Sequence, residues 1–319
     1  MLITIILLLI GLGLIFFGAD FLVDGASAIA RKAGISDFVI GLTIVGFGTS
    51  CPELVVSVTG ALAGNSDIAI GNVVGSNIFN TLLILGLTAV IAPMAITDEN
   101  RKRDIPITIG ATFLLVLLGM KHSLFGLGQH DGLSRYEGIL FLLIFAAYIY
   151  MCFKFNKQDD QMEEPKKHMS LPVAILLTLG GLAALIIGGD LFVDSATEIA
   201  RKIGVSDKFI AVTLLAGGTS LPELATCIVA AAKKKGQLAL GNILGSNVFN
   251  ILLILGVSAT INPIDFSGMS LVDMGILALS SVLLFTSAYT GRKDSLDRFD
   301  GSLLLICEAV YLTYLFLTI

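Results

Sequence analysis

The stretch FLVDGASAIARKAGISD, residues 21–37, returns as LFVDSATEIARKIGVSD at 191–207, and GNVVGSNIFNTLLILG at 71–86 returns as GNILGSNVFNILLILG at 241–256. Asp20 and Asp190, Glu53 and Glu223, Asn80 and Asn250, and Pro93 and Pro263 all stand 170 positions apart. A single gap-free register over so long a stretch marks a duplicated chain, so whatever one half folds into, the other must fold into as well. Later the offset falls to 163, where RYEG at Arg135 matches RFDG at Arg298, so the second half is shorter around its fourth helix.

The duplicated unit is built for lipid. Of 319 residues 55% are hydrophobic and 14% charged, against about a quarter charged in soluble domains, and mean hydropathy is +0.91. About 20 apolar residues at ~1.5 Å each span a bilayer core, which places ten helices beginning near Leu2, Phe38, Ile68, Ile105, Tyr136, Leu171, Lys208, Leu238, Met269 and Gly301. The fourth, ending near Met120, is short. Five helices per half is an odd number, so the second copy enters the membrane from the opposite side. The expected fold class is therefore all-α integral membrane, with ten transmembrane helices as two inverted-topology five-helix repeats. Residues 1–153 form the first repeat, 154–170 a cytoplasmic linker and 171–319 the second, inverted repeat. The polar linker carries acids without EF-hand spacing and reads as a solvated connection.

The first helix has no basic n-region and recurs later, so it reads as a permanent span rather than a cleaved signal. With the N-terminus outside, only Lys121, Arg135, Arg201, Lys202 and Lys208 of the 20 basic residues stay outside. The positive-inside bias favours that orientation, a multi-pass protein of the cell membrane with both termini extracytoplasmic. Cys51, Cys152, Cys227 and Cys307 lie in apolar segments without CxxC spacing, which excludes a disulfide framework and a thiolate metal site. His122, His130 and His168 fall in expected loops, which argues against an intramembrane imidazole pathway.

Against that background GTSCPEL, Gly48–Leu54, and GTSLPEL, Gly218–Leu224, stand out. Proline in a helix lacks an N–H and crowds the carbonyl four residues back, so Pro52 frees the carbonyl of Gly48, and Pro222 that of Gly218. Lipid satisfies no such group; broken backbone at membrane depth belongs beside a wet cavity, where its carbonyls become cation ligands. Pro52 alone would be a packing kink, and Thr49 and Ser50 alone would bond back to their own helix. Glu53 changes the balance, because a charged side chain at mid-bilayer costs about 2.5–3.5 kcal/mol on insertion scales. Two such acids, Glu53 and Glu223, call for a cation, a proton or a partner.

The following helix adds oxygen. Asn72, Ser76 and Asn80 step by four around one face, as do Asn242, Ser246 and Asn250. Gly71 with Gly75, and Gly241 with Gly245, form GxxxG steps that admit a neighbouring backbone. Asn72 and Asn242, near helix starts, fit capping or packing, and Asn77 and Asn247 stay ambiguous. Ser76, Asn80, Ser246 and Asn250 lie deeper and are ligand candidates. Carboxylates among hydroxyls, carbonyls and amides suit a hard cation, since Ca²⁺ takes about 6–8 oxygens. The pair carries charge enough for one Ca²⁺, two Na⁺ or two protons. Competition for it supplies a physical basis for exchange.

At these residues the chain resembles the calcium/cation antiporter superfamily, in particular prokaryotic sodium/calcium exchangers; the likeness covers nearly the whole chain. That resemblance implies Ca²⁺ exchanged against Na⁺ by alternating access, with helices 1 and 6 sliding across an eight-helix core. It implies no cofactor besides the transported ions, no enzymatic activity, no nucleic-acid partner and no obligatory protein partner. It implies a calcium site of Glu53 and Glu223 with the carbonyls of Thr49 and Thr219. Sodium sites would use the same glutamates with Ser50 and Ser76 on one side and Ser220 and Ser246 on the other. The carbonyls of Gly46 and Ala216 would contribute, and Asn80 and Asn250 would line the centre. Several relatives carry aspartate at Asn250, potassium-dependent exchangers among them, so potassium independence is expected.

Glu308 has no acidic twin, its counterpart being Phe145; it reads either as a protonated side chain against a helix partner or as an interface residue. Asp20, Asp24, Asp190 and Asp194 fit structural or gate-lining roles. A proton/calcium antiporter of the same fold is the nearest rival. A channel would leave inverted halves without a purpose, and an intramembrane hydrolase using Ser50 or Ser220 lacks a base within reach.

Overall fold

The computed structural model describes residues 2–128, 130–154, 169–203, 216–290 and 295–318, and these are almost wholly helical. The first half runs α1 (Leu2–Ala33), α2 (Asp37–Ile40), α3 (Gly46–Thr49), α4 (Cys51–Leu62), α5 (Ser66–Phe79), α6 (Leu85–Ile91), α7 (Ile105–Gly119), α8 (Lys121–Phe125) and α9 (Arg135–Lys154). The second runs α10 (Leu171–Lys202), α11 (Ala216–Gly218), α12 (Leu221–Ala232), α13 (Gly236–Val248), α14 (Leu255–Ile261), α15 (Leu271–Thr290) and α16 (Arg298–Thr318). The duplication is visible in these bounds: α4 and α12, and α6 and α14, match end to end at the 170 offset, and α9 and α16 start at the 163 offset.

Among the described residues seven helices are long and apolar enough to cross a membrane, or eight if α2–α3 and α4, bent by 49° at their junction, count as one. This is an all-helical, multi-pass membrane protein. Among the described residues α7, at 15 residues, and α12, at 12, are shorter. The helix expected from Lys208 begins outside the described residues, as does most of the 154–170 linker with His168. The two halves have an inner and an outer layer. Over their most apolar windows the continuous α13–α14 segment is 94% buried, whereas α1 and α10 are each only 28% buried. Helices apolar on every side face lipid with what the core does not use.

Helices α1 and α10, repeat equivalents of each other, cross antiparallel. A Cβ on Gly11 would fall 2.9 Å from the Gly188 carbonyl, one on Gly18 2.9 Å from that of Gly181, and one on Gly25 2.7 Å from that of Ala174. Rising positions in one helix meet falling positions in the other, and glycine permits the close approach. Two short ladders tie the halves together. Strand β1 (Met94–Ala95) pairs antiparallel with β4 (Ser295–Leu296), and β2 (Gly132–Leu133) with β3 (Ile264–Asp265). Each ladder joins one strand from each half, and exchanging the halves turns one ladder into the other.

Two expectations are corrected. His122 lies in helix α8 rather than a loop, because Asp131 reaches across to accept the amides of His122 and Ser123 at 2.8 and 2.9 Å and so starts a helix there. Capping of α5 falls to Asn65, whose side chain accepts from the Ile68 amide, and not to Asn72.

Candidate functional site

Helix α3 ends at Thr49 and α4 restarts at Cys51; the break expected from Pro52 falls at Ser50. Pro52 then sits in the first turn of α4, where its missing N–H costs nothing. Glu53 follows in the same turn, at the positive end of the half-helix dipole, and Glu223 occupies the equivalent turn of α12 behind Pro222. Glu53 is fully buried and Glu223 is 1% exposed.

The two acids are held by each other's repeat. Ser50 Oγ donates to Glu223 Oε1 at 3.0 Å, and Ser220 Oγ donates to Glu53 Oε1 at 3.2 Å. Each also accepts from its own repeat: Ser76 Oγ lies 3.2 Å from Glu53 Oε1, and Ser246 Oγ 3.4 Å from Glu223 Oε1. Ser76 and Ser220 are 2.9 Å apart, and Asn250 Nδ2 donates to Ser76 Oγ at 3.3 Å. Ser50, Glu53, Ser76, Ser220, Glu223, Ser246 and Asn250 thus form one buried cluster spanning both halves.

No basic side chain enters it: among the described residues no ion pair involves Glu53 or Glu223. Yet Oε2 of each glutamate, Oδ1 of Asn250 and both amide atoms of Asn80 are buried without a hydrogen-bond partner among the described residues. Buried polar atoms are normally satisfied, and several orphans together ask for a ligand. No group of three or more His, Cys, Asp or Glu occurs among the described residues, so the cluster offers two charges and neutral oxygens, the donor set of a hard cation.

The helix bearing Ser76 widens into a π-helical turn at Asn80–Ile84, and its twin does so at Phe249–Ile254, around Asn250. Such turns re-aim side chains and concentrate at functional sites. The Thr49 hydroxyl lies 3.1 Å from the Val45 carbonyl and 3.2 Å from Asn242 Oδ1, at the edge of the cluster. Gly46 is buried in α3, Ala216 opens α11, and Thr219 is partly exposed in the turn before α12. Thr219 also borders a cavity of about 180 Å³ lined by Pro52, Pro222, Asp190 and Asp194.

Asn72 and Asn242 do more than pack. Asn72 Nδ2 donates to the Glu53 carbonyl at 3.1 Å and to Ser57 Oγ at 2.8 Å. Fully buried Asn242 bridges Thr49 and Cys227, donating to Cys227 Sγ at 3.2 Å. Their place one turn before Ser76 and Ser246 was the available signal. Asn77 turns back to the Val73 carbonyl, while Asn247 crosses to Thr81 Oγ1 at 2.9 Å. Gly241 and Gly245 pack against the Phe38–Leu42 backbone as GxxxG implies. A Cβ on Gly71 or Gly75 would meet nothing within 4 Å among the described residues, and the equivalent partner, residues 208–215, lies outside them. Glu308 sits on α16, 2% exposed, with Oε2 unpartnered among the described residues. That burial removes the interface reading.

The chain is similar to known proteins in sequence and in fold. The chain is 40% identical to the putative antiporter CaxA of Alkalimonas amylolytica over 99% of both chains. It is 33% identical to the sodium/calcium exchanger MaX1 of Methanosarcina acetivorans over 98% of this chain and 99% of that one. A solved structure of the sodium-calcium exchanger NCX_Mj superposes with a TM-score of 0.84 at 32% identity, covering 98% of each chain. The family model for sodium/calcium exchanger protein matches residues 3–154 and 173–319, so both duplicated halves carry it. With two matches of the family model flanking the linker, and glutamates from both halves meeting in one buried cluster, the chain belongs to the sodium/calcium exchanger protein family.

Proposed function

We propose that this chain is a secondary transporter that exchanges Ca²⁺ for Na⁺ across the cell membrane by alternating access, extruding Ca²⁺ at the expense of the Na⁺ gradient. The observation that carries the reading is the cross-repeat cluster: two buried acids, each bonded by a serine of the opposite half, without a basic partner among the described residues. Calcium takes both carboxylates with the Thr49 and Thr219 carbonyls. Sodium takes the same carboxylates with Ser50, Ser76, Ser220 and Ser246, the Gly46 and Ala216 carbonyls completing its shell. Asn80 and Asn250 line the centre. Because both loads need the same two acids, one must leave before the other is fully held.

The frame for this is ten spans in two inverted repeats, 1–153 and 171–319, joined by a cytoplasmic linker, with both termini outside. The antiparallel crossing of α1 and α10 and the exchange symmetry of the two ladders support it. The alternative is H⁺ in place of Na⁺, favoured by one observation: Oε2 of each glutamate has no donor among the described residues, and a proton there would cap it. Proteoliposomes separate the readings. Internal Na⁺ drives radioactive Ca²⁺ uptake, and Glu53→Gln or Glu223→Gln abolishes it; uptake driven by a proton gradient alone, with no response to Na⁺, overturns sodium coupling.

A further inference from the structure

The two halves differ where α1 and α10 meet the broken helices. Lys233, just past the end of α12, lies 2.7 Å from Asp20 Oδ1 and 2.8 Å from Asp24 Oδ1, and donates to the Asp20 carbonyl at 3.3 Å. Lys235 adds a bond to the Val23 carbonyl at 3.5 Å and stands 3.9 Å from Asp24. Helix α1 packs along α12 at this end, whereas the repeat-equivalent contact of α10 with α4 is at most marginal. Between α10 and the two helix breaks lies the cavity lined by Pro52, Asp190, Asp194, Thr219 and Pro222.

Because α1 and α10 cross antiparallel, Asp20 and Asp24 lie toward one end of the crossing and Asp190 and Asp194 toward the other. Lys233 is eleven residues beyond Pro222, about 16 Å along α12. The sequence makes the asymmetry permanent. The twins of Asp20 and Asp24 are the aspartates Asp190 and Asp194, but the twin of Lys233 is Ala63, and Gly64 and Asn65 follow where the second half has two more lysines. The acids are duplicated and the cation is not. Among the described residues neither Asp190 nor Asp194 forms an ion pair.

Resting on the alternating-access reading above, we infer that Lys233 is a one-sided latch. Gripping Asp20 and Asp24, it holds α1 against the end of α12 and closes the pathway there. The absence of a matching lysine at Ala63 leaves the opposite closure weaker, so the ion-free protein rests in the conformation closed at Lys233. Inverting the molecule means pulling one ammonium from two carboxylates on one side and gaining no such bond on the other. The latch is 26% exposed at Lys233 and 38–44% exposed at the aspartates, a setting in which ion pairs are worth about 1 kcal/mol. That corresponds to roughly a fivefold change in the ratio of the two conformations.

Spin-label distances on the full-length protein in vesicles test it, with one pair at Lys32 and Lys234 across the latched end and another at Leu62 and Lys202 across the other. In the ion-free protein Lys233→Gln raises the long-distance fraction of the first pair about fivefold and shortens the second in step. Lys233→Arg keeps the wild-type distribution. Ala63→Lys, which offers Asp190 and Asp194 a cation, shifts both pairs in the same direction as Lys233→Gln. If wild-type distances respond to Ca²⁺ and Na⁺ but Lys233→Gln matches wild type, or both pairs merely broaden together, the latch is wrong. If wild-type distances ignore both ions, the alternating-access reading fails first and the latch with it.

Discussion

Ser50 of the first half donates to Glu223 of the second at 3.0 Å, so the acid of one half is positioned by the helix break of the other. A hydrogen bond to a charged group is worth about 1.5–3 kcal/mol. Ser50→Ala should therefore weaken the apparent Ca²⁺ affinity by roughly ten- to a hundredfold while uptake at saturating Ca²⁺ persists, because both carboxylates remain. Ser220→Ala should do the same through Glu53. The double variant should lose less than the sum, since Ser220 and Glu53 also share Ser76. Calcium titrations of uptake decide this; affinities within about twofold of wild type would show the cross-repeat bonds to be incidental.

Asn242 supports the same cluster at one remove. It is fully buried between Thr49 and Cys227 and touches neither glutamate. Asn242→Ala removes the acceptor that ties the Thr49 hydroxyl to the second half and loosens the segment whose carbonyl is proposed as a calcium ligand, at a cost of about 1–3 kcal/mol. The expected result is Ca²⁺ affinity lowered about tenfold, with the Na⁺ dependence of uptake displaced in the same sense. A variant that lost stability but kept both affinities would assign Asn242 to packing alone.

Much of this molecule could be read before any coordinates. The 170 offset predicted the repeated helix bounds, and two acids in apolar segments marked the place where the halves meet. The missing parts depend on contacts between halves that a single copy of the motif does not encode. Ser50 follows Thr49 in the chain and looks like its equal, yet a helix break turns the Ser50 hydroxyl toward Glu223 and leaves that of Thr49 between the Val45 carbonyl and Asn242. The difference between Lys233 and Ala63 was present in the letters, but its meaning required Asp20 and Asp24 to arrive from a helix more than 200 positions away.

Asn250 donates to Ser76 at 3.3 Å, which a carboxylate cannot do. Wild-type exchange should run equally well in K⁺ and in an inert cation, with potassium stimulation counting against that expectation. Asn250→Asp puts a third acid at a fully buried position, where it must carry a proton until a cation displaces it. Proton release then accompanies binding, so apparent Ca²⁺ affinity should rise with pH more steeply than in wild type, by about one extra proton per ion. Parallel pH profiles of Ca²⁺ affinity for the two proteins test this.

Gly18 and Gly13 share helix α1 but not its surroundings. A Cβ on Gly18 would sit 2.9 Å from the Gly181 carbonyl and 2.9 Å from the Leu185 amide, while one on Gly13 meets nothing within 4 Å. Alanine adds the same methyl group and the same helix preference at both places, so any difference between the variants measures the α1–α10 contact. Gly13→Ala should leave thermal stability in detergent unchanged or slightly raised. Gly18→Ala should lower it by about 1–3 kcal/mol, the usual cost of forcing one more carbon into a packed contact. Gly181→Ala should match Gly18→Ala, since its Cβ would lie 2.7 Å from the Gly18 carbonyl. Because these two helices rest on each other along their length, the same variants should slow exchange more than they weaken ion binding. Equal effects at Gly13 and Gly18 would mean that α1 does not bear on α10 in the membrane.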